Sequence, residues 1–400
     1  MKILVGCSLP EWALQELRTL GTEVLYEPTL TTERMEKLIG DVAVLVVSRT
    51  RVPPEVVSAG KALQVIVRAG TDIANIAVEE ASAQGIFVAN CPYQDALAVA
   101  ELTLGLLLAL DRGLLESAAA LKDGVLAGPE GIGALGLAGR TLGVLGFGPV
   151  EQEIVKRAQA FEMKVLAWSP TLTPEPAAAS GVSFCAWPRE LARQSDMVTV
   201  YAPQQEADEV LVDAGFLENM RVGGYIVYVG HPAALDEVAL AEIAKARQLR
   251  VAYDIFAPHL AGSDAGRFSS QLQALPHAIG THHLADRTKQ AYEATATELL
   301  RVIREFLIAG DVVNCVNILA HSPATWQLVL RLRDTVGVLA AVLDHVRADG
   351  INIEEVSSRV FTGAKAGFCT IALDERPSAE ALSAIRKLEG VLHLELRALV

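Results

Sequence analysis

Through most of the chain, apolar and polar positions fall into short blocks of two kinds. Runs such as Ile3–Val5, Val42–Val47, Val65–Val67 and Ile86–Ala89 are continuously apolar, as strands buried on both faces are. Between them, Glu11–Leu20, Thr32–Ile39 and Ile76–Gln84 place apolar residues at helical spacing. This alternation predicts a parallel sheet with helices on both faces. Leu97–Leu110 reads as a long apolar helix. The pattern resumes with strands at Met197–Tyr201, Tyr225–Val229, Arg250–Asp254 and Ala278–Thr281, and helices over Asp236–Arg247 and Arg287–Ile308. After Asn317 the order changes. A strand over 325–332 and a turn at Asp334–Gly337 lead to a helix over Val338–Val346, apolar at 338, 339, 342, 343 and 346. Strands Ile353–Phe361 and Phe368–Leu373, a helix Ala379–Leu388 and a strand Leu392–Leu399 complete βαββαβ, a ferredoxin-like unit. The fold class expected is α/β: two doubly wound parallel-sheet domains and a small third domain.

One stretch gives this scaffold a chemistry. Thr141–Pro170 reads strand, Gly146-Phe147-Gly148, helix, then a second strand ending at Trp168-Ser169. Such a unit seats a dinucleotide pyrophosphate on a helix N-terminus, with glycines for the sharp bend and for close backbone approach. Gly146 and Gly148 are in place, Glu151 holds the third glycine position, and Ser169 stands where an acid would hold the ribose. Glu151 and Glu153 lie in the first helical turn, facing the pyrophosphate position or capping the helix dipole.

Composition narrows the function classes. The 400 residues are 51% hydrophobic and 20% charged, which suggests two or three globular domains. A net charge of −14 without a basic cluster argues against nucleic acid. Cys7, Cys91, Cys185, Cys315 and Cys369 lack CxxC spacing and read as buried reduced thiols. Strand-like sequence from Lys2 leaves no room for a signal peptide, and Leu97–Leu110 is too short to span a bilayer. A soluble cytoplasmic protein with no membrane contact is expected.

Arg68-Ala69-Gly70, Asn90-Cys91-Pro92, Val99-Ala100-Glu101-Leu102, the Gly146-Phe147-Gly148 turn, Asp254-Ile255-Phe256 and the C-terminal segment from Arg333 to Val356 resemble the D-3-phosphoglycerate dehydrogenases, within the D-2-hydroxyacid dehydrogenase family. The resemblance covers essentially the whole chain. It implies a flavodoxin-like substrate domain over 1–96 and 284–317, a Rossmann-type nucleotide domain over 97–283, and an ACT regulatory or dimerisation domain over 322–400. It further implies NAD as cofactor, a 2-hydroxy or 2-oxo acid as substrate, a homodimer or homotetramer, and an amino-acid effector at the ACT domain.

Carried over residue by residue, the acid/base histidine is His283. His259 replaces the glutamate that orients it, and His231 replaces the carboxylate-binding arginine. Pro203 and Asp254 match cofactor positions, and Arg49 and Asn75 match substrate positions. Asp72 and Asp95 stand where the family has glycine and asparagine. Asn352 matches an ACT ligand position, with Asp334 and Leu332 replacing an amide and a histidine. Four imidazoles (His231, His259, His282, His283) map to one pocket, which allows either a metal site or mutual hydrogen bonding. Two readings stand side by side. One is an NAD-linked oxidoreductase with a strongly altered site and weak or no classical activity. The other is a non-catalytic descendant that senses a ligand or scaffolds.

Overall fold

The computed structural model describes residues 1–126, 133–201, 210–230, 232–254, 270–319 and 321–399. The chain divides into two compact units, Met1–Asn317 and Ile318–Val400.

The first unit holds two parallel sheets. In the first, β1 (Lys2–Val5), β2 (Glu23–Tyr26), β3 (Val44–Val47), β4 (Val65–Arg68) and β5 (Phe87–Asn90) lie in the order β2-β1-β3-β4-β5. The crossovers carry α1 (Glu11–Thr19), α2 (Thr32–Leu38), α3 (Pro54–Ala59) and α4 (Val78–Ala83). Side chains alternate across the sheet: Ile3, Val5, Val44, Val46, Val65 and Val67 enter one core, and Leu4, Leu45, Val47 and Ile66 the other. Two buried faces explain why these strands read as unbroken apolar runs. Strand β2 escapes the hydropathy pattern because it is an edge strand, half-buried at best.

Helix α5 (Ala96–Arg112) ends at Gly113, whose φ of 55° is left-handed, and α6 (Leu114–Lys122) follows with no buried residue. The second sheet is built from β6 (Thr141–Leu145), α7 (Pro149–Ala160), β7 (Lys164–Trp168), α8 (Pro174–Ala179), β8 (Ser183–Phe184), α9 (Pro188–Gln194), β9 (Met197–Val200), α10 (Ala214–Asn219), β10 (Tyr225–Tyr228), α11 (Glu237–Arg247), β11 (Arg250–Tyr253) and β12 (Ala278–Gly280). Its order is β12-β11-β10-β9-β6-β7-β8, which reverses direction at β6, the strand entering the Gly-rich turn. Beneath it, fully buried Asp111 accepts from Arg140, from the Tyr225 hydroxyl and from the backbone N–H of Leu135 and Gly136. Helix α12 (Lys289–Ala309) then returns to the first sheet, burying Ala296, Leu299, Leu300, Val302, Ile303 and Phe306 in the core that holds Ile3 and Val67. No helix among the described residues is long and apolar enough to cross a membrane.

The second unit is β13 (Trp326–Arg333), α13 (Val338–Ala348), β14 (Ile353–Val360), β15 (Ala366–Leu373), α14 (Ala379–Lys387) and β16 (Val391–Ala398). Its antiparallel sheet runs β14-β15-β13-β16, the ferredoxin-like order. The core is Leu328, Leu330, Val342, Val346, Ile371 and Ile385.

Candidate functional site

Strands β1, β3, β4 and β5 of the first sheet and β9 and β10 of the second deliver their carboxyl ends to one cavity of about 730 Å³ within the first unit. Ligands of parallel α/β sheets bind at such strand ends. The cavity carries Arg49 after β3, Arg68 at the end of β4, Asp72 and Asp95 in the loops that follow β4 and β5, Tyr201 after β9, and His283 with Asp286 on the loop before α12.

His283 has a φ of 57°, the left-handed region that a residue with a Cβ seldom occupies. Asp254 supplies the reason. It is fully buried, and its Oδ1 accepts from the Thr281 hydroxyl at 2.5 Å and the Leu284 N–H at 2.7 Å. Its Oδ2 accepts from the Ala285 N–H at 2.9 Å, and its backbone carbonyl from the His283 N–H at 2.9 Å. The resemblance places Asp254 on the cofactor. In the structure its carboxylate is taken up by the chain's own 281–285 loop, and it acts as the clamp that presents His283. Burial holds the imidazole below its usual range, opposed by the negative charge of Asp286 and reinforced by Arg49. Burial thus favours the neutral form of the imidazole that lines the cavity.

Arg49 donates to Asp286 Oδ2 at 3.3 Å, an ion pair at the cavity wall. Asn75, expected at the substrate, does not line the cavity. Its Nδ2 donates to the carbonyls of Ser48 and Thr50 and so fixes the loop that carries Arg49. Arg68 Nη1 donates to the Ala69 carbonyl at 2.8 Å, packed where a Cβ on Gly70 would collide with it. At Gly70 the φ of 140° and this contact both require glycine. Asp286 and Tyr201 escaped the sequence reading. An acid three residues after His283 was the available signal for the first; the second is an ordinary strand-end tyrosine until the fold turns it inward.

The Gly-rich turn has the backbone a dinucleotide needs. Gly146 has φ 109°, its N–H donates to the Trp168 carbonyl at 2.8 Å, and Gly148 is the N-cap of α7 with Pro149 preset at N1. The charge differs. Glu151 is 3% exposed, a Cβ on Gly146 would collide with its Oε1, and one on Gly148 would stand 3.2 Å from its Oε2. A buried carboxylate thus lies against the two glycines. Glu153 corrects the expectation that it too faces this position: it folds back along the helix onto Arg157 at 2.7 Å and Lys156, which hold its carboxyl below the usual range. Ser169 Oγ accepts from the Leu172 N–H at 3.0 Å and closes the turn after β7.

His231, His259 and Pro203 lie outside the described residues. Of the histidine cluster, His282 is exposed while His283 lines the cavity, and no group of three or more metal-binding side chains occurs among the described residues. In the second unit, Asn352 borders a recess of about 550 Å³ with Asp344 and Arg347, and its Nδ2 donates to Glu354 at 2.6 Å. Asp334 is exposed and is not part of that recess, so the structure does not bring these two expected ligand residues together there.

Residues 104–285 match the family model of the D-isomer specific 2-hydroxyacid dehydrogenase NAD-binding domain. A D-3-phosphoglycerate dehydrogenase of Methanocaldococcus jannaschii is 33% identical over 350 residues, 86% of this chain. The chain spans about 65% of that relative's length. A hydroxypyruvate reductase of Thermotoga maritima is 32% identical over 289 residues, covering 69% of this chain and 90% of the relative. The TT0316 protein of Thermus thermophilus superposes with a TM-score of 0.69 at 29% identity, over 79% of this chain and 100% of that one. The NAD+-bound 3-phosphoglycerate dehydrogenase of Entamoeba histolytica, 22% identical with a TM-score of 0.64 over 80% of this chain and 99% of its own, shares the fold. The chain is a member of the D-isomer specific 2-hydroxyacid dehydrogenase family.

Proposed function

We propose that the protein is an NAD-linked oxidoreductase of 2-hydroxy or 2-oxo acids, phosphoglycerate-dehydrogenase-like in descent, with a substantially rebuilt substrate site and weak turnover of phosphoglycerate. The observation that carries the reading is His283, an imidazole whose neutral form burial favours, set on an Asp254-clamped loop and opening into a cavity that Arg49, Arg68 and Arg287 line. Arg68 and Arg49 bind and orient a carboxylate, Arg49 sharing its charge with Asp286. His283 accepts the hydroxyl proton. Gly146, Gly148 and Ser169 would hold the dinucleotide, which supplies the hydride acceptor when bound. Weak phosphoglycerate turnover is expected because His231 and His259 stand where the family has its carboxylate-binding arginine and its orienting glutamate.

Two further parts belong to this reading. Helix α6 exposes Leu114, Leu115 and Leu121, at 52%, 53% and 60%, which supports a homodimer or homotetramer formed through that face. The second unit acts as an ACT-like module, with an amino-acid effector in the Asn352 recess. A non-catalytic sensing role is favoured instead if the dinucleotide is rejected, and Glu151 is the observation on that side. Calorimetric titration with NADH and NADPH, followed by a 2-oxo-acid screen, tests the reading. Micromolar NADH binding with oxidation of NADH by some 2-oxo acid is expected. No NADH binding up to about a millimolar, equivalent to about 4 kcal/mol, overturns it.

A further inference from the structure

A histidine that hands a proton to a substrate needs a carboxylate near enough to stabilise its imidazolium. Position 259, where the resemblance expects that carboxylate, holds histidine. The loop that carries His283 offers another. Beyond the Asp254 clamp, the Arg287 N–H donates to the Leu284 carbonyl at 3.0 Å, and the Thr288 N–H to the Asp286 carbonyl at 3.0 Å. These bonds close a tight turn that contains Asp286, three residues after His283. Clamp and turn together set both residues on one short, braced segment, and both line the cavity. From the end of β3, Arg49 reaches Asp286 Oδ2 at 3.3 Å.

Four charges among the described residues bear on the imidazole. After burial, Asp286 acts most strongly and favours the protonated ring, as Asp254 does, while Arg49 and Arg287 oppose them. Asp254 already gives its oxygens to Thr281, Leu284 and Ala285. The other charged side chains lining the cavity are Arg68, Asp72, Asp95 and Lys289. We propose that Asp286 is a positioning residue acting through His283: it stabilises the imidazolium from the neighbouring turn, and Arg49 governs how much of its charge is available. In the ligand-free chain Arg49 offsets Asp286, and burial favours the neutral ring. A 2-oxo acid whose carboxylate binds Arg49 removes that offset, so the imidazole gains a proton as the substrate arrives. On reduction the imidazolium N–H bond breaks and an O–H bond forms at the former carbonyl oxygen, the hydride for C2 coming from the reduced dinucleotide. The inference rests on the reading above, in which this cavity is the substrate site.

The test follows the ring signals of His283 by NMR across pH in the full chain without ligand, assigned by their loss in His283→Gln. Asp286→Asn lowers the midpoint and Arg49→Gln raises it. Asp286 is 36% exposed, so solvent screens its charge, and each shift is about half a pH unit. Opposite directions are the signature of charge. If the ion pair did no more than brace the loop, either variant would break it and both would move the midpoint the same way. A midpoint unmoved or raised in Asp286→Asn overturns the proposal, as does one unmoved or lowered in Arg49→Gln. Because the midpoints are read without cofactor or substrate, that failure leaves the oxidoreductase reading to its own NADH titration. Absence of NADH binding, in turn, removes the oxidoreductase and leaves the charge coupling of Asp286 and His283 standing.

Discussion

Changing Glu151 to glutamine removes one buried negative charge and keeps its shape. The carboxylate oxygens lie against the Cβ positions of Gly146 and Gly148, the two glycines that would receive a dinucleotide pyrophosphate, and a charge separation of roughly 6 Å sets the scale. Two unit charges at that separation, with an effective dielectric of about 20, repel by ~3 kcal/mol. Each 1.4 kcal/mol is about tenfold in affinity, so Glu151→Gln is expected to bind NADH about a hundredfold more tightly than the native chain. Calorimetry at pH 7.5 reads both constants, and a thermal melt checks that the variant is folded. Equal dissociation constants would refute the reasoning, because they would place the Glu151 charge out of reach of the pyrophosphate. A native chain that already binds at nanomolar affinity would do the same.

Other outcomes follow from the clamp and the buried groups. Asp254→Ala leaves the Thr281 hydroxyl and two backbone N–H groups without their acceptor; a loss of about 3 kcal/mol is expected in chemical denaturation, and a loss under 1 kcal/mol would show the loop held by other contacts. His283 titrates below the ordinary histidine value in the folded chain, so its NMR midpoint falls below about 6.5. Because the unfolded chain takes up that proton first, the fold loses stability as pH falls through this window and keeps it above. His283→Gln removes this contribution and any turnover together. Cys7 and Cys91, both pushed up to about 12 by burial, are expected to resist iodoacetamide at pH 8 in the folded protein and react only on unfolding.

How far the chain could be read in advance varied with how local each cause is. Strands β1, β3 and β4 were clear because burial on both faces makes them continuously apolar, whereas β2, an edge strand with a half-wet face, was missed. The second unit was placed within a residue or two at most element ends, since its amphipathic period and turns are local. Individual roles were harder. The resemblance places Asp254 and Asn75 at ligand positions, and in the structure both support loops that carry His283 and Arg49. By position Glu153 faces the pyrophosphate site, and the nearer partners Lys156 and Arg157 take its carboxylate instead.

The sequence by itself determined the α/β alternation, the Gly-rich turn and the ferredoxin-like terminus, while His283 came from the family resemblance. Those depend on periodicity, on backbone conformations open mainly to glycine, and on motifs a few residues long. Tertiary structure alone decided which charges meet. Arg49 and Asp286 are 237 positions apart and become an ion pair at the cavity wall, and Asp95 comes to face them across the same space. Hydrogen bonding acts over a few ångströms of space, so the composition of a site assembled from strand ends emerges once the sheets bring those ends together.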